Sequence, residues 1–401
     1  MTINSIQYFL TLLILLISGC PAVDLINKEL LYTGSFVIFV VAGFYVPSRI
    51  NRRDLLIYGV FFGIGLMHFI TFGSLTAISS IGFLVRLGIA LLAAKIIHNF
   101  SYRYVTIMSV LSGMSLIFFI PTFMGVDTQD MFSVFRIPTE FNYFHIGVHN
   151  FSADMDGRVR NSGLFWEPGA FAGYLVLALF FLIRDGLIDT VLSTRGVLLV
   201  ITLISTQSTT GYVALMVLIL LFIYRSGWIK SRAAKILVVP IFFLSYAIST
   251  LLLFSEVDFL GEKIDAQLES AAMQDNSSRI NRFGNFLYDS KWIISRPLLG
   301  WSATPQTRVS VDPEVLDLVE GQGNGLAGFT IKFGLIGLLV FLGLFAFNTH
   351  RNSGSAITTF LGMALVCILL TGEQFLNFPF FLSLMFSPEV SKRLLPDVPR
   401  A

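Results

Sequence analysis

Leu10-Thr11-Leu12-Leu13-Ile14-Leu15-Leu16-Ile17 carries one hydroxyl and no charge, inside an apolar stretch that runs from about residue 6 to 23. A helix that crosses a membrane needs about 20 mostly apolar residues, because the hydrocarbon core is roughly 30 Å thick and each residue rises about 1.5 Å. Similar stretches recur near 30–47, 55–73, 76–94, 104–121, 168–183, 196–207, 210–224, 236–254, 326–347, 355–371 and 375–387. The expected fold is therefore an all-α polytopic membrane protein of about 12 transmembrane helices. The seventh and twelfth stretches are short, and a re-entrant path for either would change the count. Ile17-Ser18-Gly19-Cys20 has the form of a lipid-attachment box, but no Lys or Arg precedes the apolar run. A signal peptide needs a basic leading region, so this segment reads as the first membrane helix.

The composition agrees. Of 401 residues, 55% are hydrophobic and 13% charged, about half the charge usage of soluble domains. Phe alone occurs 40 times. Such a chain lacks the polar side chains to cover the surface of a soluble multidomain enzyme. Its net charge of +2 gives no reason to expect a nucleic-acid partner. The two cysteines, Cys20 and Cys367, lie beside or inside apolar runs and imply no disulfide framework.

Orientation follows from where the basic residues fall. With both termini cytoplasmic, the cytoplasmic segments hold fifteen of the 27 Lys and Arg, whereas the short outer connections hold only Lys28. Five segments result: 1–121 with spans one to five, a long outer loop at 122–167, and 168–254 with spans six to nine. A second long outer loop covers 255–325, and 326–401 holds spans ten to twelve and a cytoplasmic tail. Loops of that length are usually functional. Both are expected to contain short helices, since Arg282-Phe283-Gly284-Asn285-Phe286-Leu287-Tyr288-Asp289-Ser290-Lys291-Trp292 has apolar residues at helical spacing.

Charge in these loops directs the search for a site. Residues 122–166 hold three basic and five acidic groups, and residues 255–324 hold six and eleven. The two segments are thus net −7 and the rest of the chain +9. An anionic ligand would have to be held there by particular guanidinium groups, which bind phosphate oxygens in a bidentate fork. The first candidates lie in Arg158-Val159-Arg160-Asn161-Ser162-Gly163-Leu164-Phe165-Trp166-Glu167-Pro168-Gly169-Ala170, where the first loop enters the sixth span. Pro168 suits the first helical turn, which puts Glu167 at the N-cap. The bland alternative is that Glu167 caps the helix and pairs with an Arg, while Arg158 and Arg160 touch headgroups. In the second loop, Arg279 and Arg282 are three apart and share a helical face, although a solvated charged face has the same pattern. Arg296-Pro297-Leu298-Leu299-Gly300-Trp301 follows, and Gln322-Gly323-Asn324-Gly325 opens the tenth span.

Three residues within spans stand apart. Lys332, about two turns inside the tenth span, either snorkels to the outer surface or faces a polar cavity. Arg86, mid-span in the fourth, reads as facing the bundle interior, against a carboxylate or in a functional role. His68 in the third suits a helix–helix hydrogen bond. His145 and His149 are four apart in the first outer loop, but no third ligand stands at metal spacing, so they read as surface polar residues and no metal is expected. No Walker loop, GxGxxG after a strand or GxSxG elbow occurs, and no cofactor is implied.

Arg160-x-x-Gly163-x-x-x-x-Pro168, on an outer loop before a membrane helix, resembles the signature shared by bacterial O-antigen ligases and polymerases. Phe165-Trp166-Glu167-Pro168-Gly169 looks like the polymerase (Wzy-type) form. Arg282 and Arg296-Pro297-Leu298-Leu299-Gly300-Trp301 resemble the superfamily's second outer-loop element. Thr209-Thr210-Gly211, and Asn324 ahead of Gly334-Leu335-Ile336-Gly337, also fall where the family has similar residues. The likeness covers about 155–340. The ligases carry a histidine shortly before the late Asn, where this chain has Gln322-Gly323, a departure that argues against ligase and leaves the acceptor's base open.

The resemblance implies a periplasmic-face glycosyltransferase in the bacterial inner membrane that polymerises undecaprenyl-diphosphate-linked oligosaccharide repeat units into O-antigen, capsule or exopolysaccharide. Partners implied are those lipid-linked oligosaccharides, the bilayer, a chain-length regulator and a flippase. Catalytic candidates are Glu167 as base, with Arg160 and Arg282 facing the leaving diphosphate. Arg158, Arg279, Trp166, Asn161, Asn324 and Trp301 are candidates for binding diphosphate or glycan, the tryptophans by stacking on sugar faces. On this reading Arg160→Ala abolishes long-chain polysaccharide and leaves protein level unchanged. The nearest alternative is the ligase, which moves glycan onto lipid A-core: its loss leaves bare core, whereas loss of a polymerase leaves core capped by one repeat. A transporter of lipid-linked sugars would show charges lining the spans and matched halves, and the chain has neither pattern.

Overall fold

The computed structural model describes residues 2–25, 27–46, 49–137, 144–153, 159–186, 193–226, 282–309, 311 and 324–386. The ninth expected span, 236–254, lies outside them, as do Arg158 and Arg279. The helices are α1 (Ile3–Gly19), α2 (Lys28–Tyr45), α3 (Arg52–Phe72), α4 (Ala77–Ile96), α5 (Phe100–Phe123) and the single turn α6 (Thr128–Met131). After three short strands come α7 (Pro168–Arg184), α8 (Thr194–Ser205), α9 (Thr209–Arg225), α10 (Arg282–Ser295) and the turn α11 (Gln306–Val309). Then follow α12 (Gly325–Ser353), α13 (Ala356–Gly372) and the turn α14 (Pro379–Leu382).

The chain is mostly helical. Four stretches, 28–45, 52–96, 100–123 and 325–353, are long and apolar enough to cross a membrane. A 3-10 turn at Gly73–Thr76 divides the second into α3 and α4, which pack against each other. Helix ends are closed by local chemistry, since the first-turn N–H groups have no helical partner. The Asn27 side chain accepts from the N–H of Glu29 and Leu30, and Asn51 and Asp54 form a reciprocal capping box. Large apolar side chains such as Phe44, Leu56, Ile70, Ile78, Ile117 and Phe360 point outward and are exposed. Water would penalise such a surface, and hydrocarbon does not.

At the centre stands α7, in which every residue from Ala170 to Arg184 is buried. An all-round apolar helix of this kind has no face for solvent. Small residues let its neighbours approach: a Cβ added at Gly173 would lie 2.2 Å from the Phe375 ring. Aromatic rings fill the rest, with Phe165 stacked on Tyr174 at 4.3 Å and Phe375 on Phe381 at 4.1 Å. The tyrosine hydroxyls inside this core are paired: Tyr104 donates to the Tyr174 carbonyl at 2.6 Å and Tyr174 to that of Ser18 at 2.5 Å.

Two expectations change. The twelfth stretch, 375–387, is not one helix. It folds as a 3-10 turn (Phe375–Asn377), α14 and a second 3-10 turn (Ser383–Met385), with every side chain from Pro379 to Phe386 buried. Segment 122–167 contains short helices, as expected, but it is not all-α. Besides α6 and a 3-10 turn at Ser133–Phe135 it carries an antiparallel sheet, β1 (Phe144–His145), β2 (Asn150–Ala153) and β3 (Val159–Asn161), in that spatial order. Ser152 pairs with Arg160 and Phe151 with Asn161.

His145 and His149 pin this sheet from inside, which corrects their reading as surface residues. His145 is fully buried; its Nε2 lies 3.2 Å from the Leu164 carbonyl and 3.8 Å from Cys20 Sγ, and its Nδ1 accepts from the Gly147 N–H. His149 stacks on Phe118 at 5.3 Å, and burial pushes its pKa down to about 3, so the ring is neutral at physiological pH.

Candidate functional site

The junction that carries the sequence motif is anchored as well as charged. In β3, Arg160 donates from Nε to the Thr206 carbonyl at 3.1 Å and from Nη2 to the Gln207 carbonyl at 3.0 Å. These carbonyls lie just beyond the C-terminus of α8, where unpaired oxygens and the negative end of the helix dipole both favour a cation. Asn161 is fully buried and donates to Ser115 Oγ at 3.1 Å and Ser205 Oγ at 2.9 Å, while its Oδ1 accepts from the Gly163 N–H. Trp166 is half-buried, 5.1 Å from the Phe378 ring. Glu167 holds the N-cap position of α7, but its side chain makes no capping hydrogen bond.

Residues 297–302 pack into the helical body at a break in α12. Gly334 has φ +69° and ψ −178°, which interrupts the helix. The groups freed on either side are taken up by residues 297–302. Trp301 and Ser302 donate to the carbonyls of Ile331 and Lys332 at 2.7 and 3.2 Å, and Leu335 and Ile336 donate to those of Pro297 and Leu298 at 2.7 and 3.3 Å. Gly300, at φ +75°, allows the close approach. His68 Nε2 joins from α3 at 2.8 Å from the Leu299 carbonyl, so its expected bond runs to this loop and not to another helix. Trp301 is buried, donates from Nε1 to the Trp292 carbonyl at 3.0 Å, and lies under the Arg296 guanidinium at 4.8 Å.

Beside this break lies a cluster of charge. Lys332 donates to Asn377 Oδ1 at 2.8 Å and Arg86 donates to the Asn377 backbone carbonyl at 2.9 Å. Asn377 is held in turn by its Nδ2 donating to Gln374 Oε1 at 2.8 Å. Arg308 and Asp289 lie within electrostatic reach of Lys332. Burial pushes the Asp289 carboxyl up to about 6, against the opposing pull of Arg308 and Lys332. Trp166 on Phe378 brings the first loop to the same short segment, 374–378.

The structure therefore redistributes the expected roles. Asn161 is a buried strut, and the Asn324 side chain caps α12 by accepting from Leu326 and Ala327 at 3.0 and 3.1 Å. Trp301 has too little free face to stack on a sugar. Arg282 opens α10, and its side chain lies outside the described residues. Trp166 stays near the cluster, and Glu167 follows it at the N-cap of α7. Sequence reasoning missed Asp289 and Asn377, and it placed Arg86 and Lys332 below the loop arginines. An ionisable side chain inside a span was the available signal for those two, since such residues are costly and usually functional. Asn377 and Asp289 gave no signal, because only their distant neighbours distinguish them.

Arg160→Ala is now expected to lower folding stability by about 1.5–3 kcal/mol, the worth of a charged hydrogen bond, and not to leave the protein level unchanged. Arg160→Lys should recover part of this, because an ammonium replaces the charge but not the fork. Thermal unfolding of the purified variants checks it, and wild-type stability in Arg160→Ala would refute the anchoring role. Compared with known proteins, the chain matches no family model, no curated protein sequence and no solved structure.

Proposed function

We propose that this chain is a twelve-span inner-membrane glycosyltransferase with both termini cytoplasmic, and that it polymerises undecaprenyl-diphosphate-linked repeat units at the periplasmic face. The observation that carries the reading is a cluster built on segment 374–378: Trp166 from the first outer loop packs on Phe378, Arg86 and Lys332 from the spans donate to Asn377, and Asp289 and Arg308 from the second loop lie within electrostatic reach of Lys332. Helix ends that the topology assigns to one side meet there, including Gly325 at the start of α12 and Glu373 at the end of α13.

In the proposed reaction a hydroxyl of the acceptor repeat attacks the anomeric carbon of the donor. The new C–O bond forms as the bond to the diphosphate breaks, and the diphosphate leaves with the electron pair. Cations fixed near that oxygen stabilise the developing charge without reorganising. The hydroxyl proton passes to a carboxylate. Glu167 is one candidate, and Asp289 the other, with a pKa of about 6 that suits a base working near neutrality.

Reconstituted protein given only lipid-linked repeats should yield a polymer ladder and free undecaprenyl diphosphate, and absence of both overturns the proposal. Glycan appearing only when lipid A-core is added would favour the ligase. Asp289→Asn is expected to cut turnover by about 10²–10⁴-fold, the usual worth of a general base. Because Asp289 must be ionised to accept a proton, wild-type turnover should fall as pH drops through about 6. A full rate for Asp289→Asn with a collapsed rate for Glu167→Gln would assign the base to Glu167.

A further inference from the structure

Arg86 and Lys332 are two cations inside membrane helices, and neither is hydrogen-bonded to a carboxylate among the described residues. Arg86 spends Nε on the Gly82 carbonyl at 3.2 Å and one Nη1 proton on Asn377, while Lys332 spends one of its three protons on Asn377 Oδ1. Asn377 thus sets the two cations side by side, and several of their N–H donors have no hydrogen-bond partner among the described residues, although the Arg86 guanidinium also lies over the Tyr32 ring at 5.6 Å. Both side chains keep part of their surface accessible. They lie about nine residues into α4 and seven into α12, roughly 10–14 Å below the helix ends that face the outer loops. A charge at that depth is expensive unless it is paired or has a ligand. Among the described residues, Asp289 is the carboxylate within electrostatic reach of Lys332, where Arg86 and Arg308 oppose it.

We propose that Arg86, Lys332 and Asn377 form a seat for the phosphate groups of an amphiphilic ligand drawn from the membrane. The inference rests on the glycosyltransferase reading for the ligand's identity as a polyprenyl diphosphate. A guanidinium fork and a point-charge ammonium, held at two separate oxygens of one residue, suit two adjacent phosphates, and partial burial strengthens each charge-assisted bond. The lipid source follows from what lies beside it. Leu335 and Ile336, one turn beyond Lys332, are exposed apolar residues on the outer surface of α12. They offer an isoprenoid tail a track along the helix while its headgroup turns inward at the Gly334 break. The seat differs from the loop arginines of the sequence motif: Arg160 is occupied with helix carbonyls, whereas Arg86 and Lys332 meet on the backbone carbonyl and the side-chain oxygen of Asn377.

The test is binding without turnover. Full-length protein in phosphatidylcholine nanodiscs is titrated with undecaprenyl diphosphate and separately with inorganic pyrophosphate, with no acceptor present. Undecaprenyl diphosphate should bind, and Lys332→Met and Arg86→Gln should each weaken it by about tenfold or more. Lys332→Arg should bind within about threefold of wild type, because charge is retained. Pyrophosphate binding as tightly as the lipid would support the seat and make free diphosphate its source; much weaker pyrophosphate would fix the lipid as source. Folded variants that bind like wild type, or a wild type that binds neither compound, overturn the seat. If the variants misfold, wild-type protein decides alone: saturating undecaprenyl diphosphate should slow acylation of the Lys332 amine several-fold, and unchanged labelling overturns the proposal. A protein that binds but makes no polymer sinks the polymerase reading and leaves the seat standing. One that polymerises with unaltered binding in the variants does the reverse.

Discussion

Gly334→Ala is expected to detach residues 297–302 from α12. With φ at +69° and ψ at −178°, Gly334 occupies backbone space that is essentially closed to other residues, at a cost of about 1–3 kcal/mol. The larger cost is steric. An added Cβ would lie 1.9 Å from the Leu298 carbonyl oxygen, and backbone cannot swing aside as a side-chain tip can. Moving residues 297–302 away breaks the four hydrogen bonds that close the gap in α12. Each buried peptide group left unpaired costs about 1–3 kcal/mol, so the sum exceeds about 5 kcal/mol and approaches the whole stability of many domains. Thermal unfolding in detergent and proteolysis near residue 300 provide the readout. Gly300→Ala should behave similarly, since its Cβ would lie 2.5 Å from the Ile331 carbonyl oxygen. Gly343→Ala in the same helix meets nothing within 4 Å and should be neutral or slightly stabilising. A Gly334→Ala protein with a wild-type melting temperature would show that the loop is not held as described.

Lys95→Met is expected to cost about 3–5 kcal/mol. Lys95 Nζ lies 2.8 Å from Asp54 Oδ2, and each side chain keeps only 4% of its surface exposed. The pair joins the start of α3 to the end of α4, opposite the end that faces the 3-10 turn at Gly73–Thr76. Attraction between the two charges offsets the cost of taking each out of water, so the pair itself contributes little net stability. Removing the ammonium alone leaves the Asp54 carboxylate buried with the Asn51 N–H, at 2.8 Å, as its remaining hydrogen-bond donor among the described residues. The double variant Asp54→Leu with Lys95→Met should recover most of the loss, because neither charge is then stranded. Unfolding of the two singles and the double in a denaturing-detergent titration measures the coupling. A Lys95→Met protein within about 1 kcal/mol of wild type would mean that the Asp54 carboxylate is solvated after all.

How the helices arise was largely legible in the sequence. The apolar stretches at 6–23, 30–47, 55–73, 76–94 and 104–121 correspond to α1 to α5, and those at 168–183, 196–207, 210–224, 326–347 and 355–371 to α7, α8, α9, α12 and α13. Length and apolarity are local properties, and a buried helix satisfies its own backbone wherever its neighbours stand. The stretch at 375–387 escapes this rule. It is equally apolar, but its backbone turns three times because α4, α12 and the rings of Tyr104 and Tyr174 surround it. The sheet in the first loop was illegible for the opposite reason: strands of two to four residues are too short to show a period.

The chemistry of the site divides along the same line. By itself the sequence determined that the chain is apolar enough for a membrane, where its helical runs fall, and which residues carry charge where charge is costly. Those follow from side-chain type and spacing, which need no partner. Only the tertiary structure decided what each charge faces. It turned Arg160 onto the carbonyls of residues 206 and 207, buried Trp301 beneath Arg296, and set Lys332 and Arg86 on Asn377, 45 and 291 residues away. A guanidinium binds a carbonyl, a ring or a phosphate with the same donors, and burial and geometry select among them.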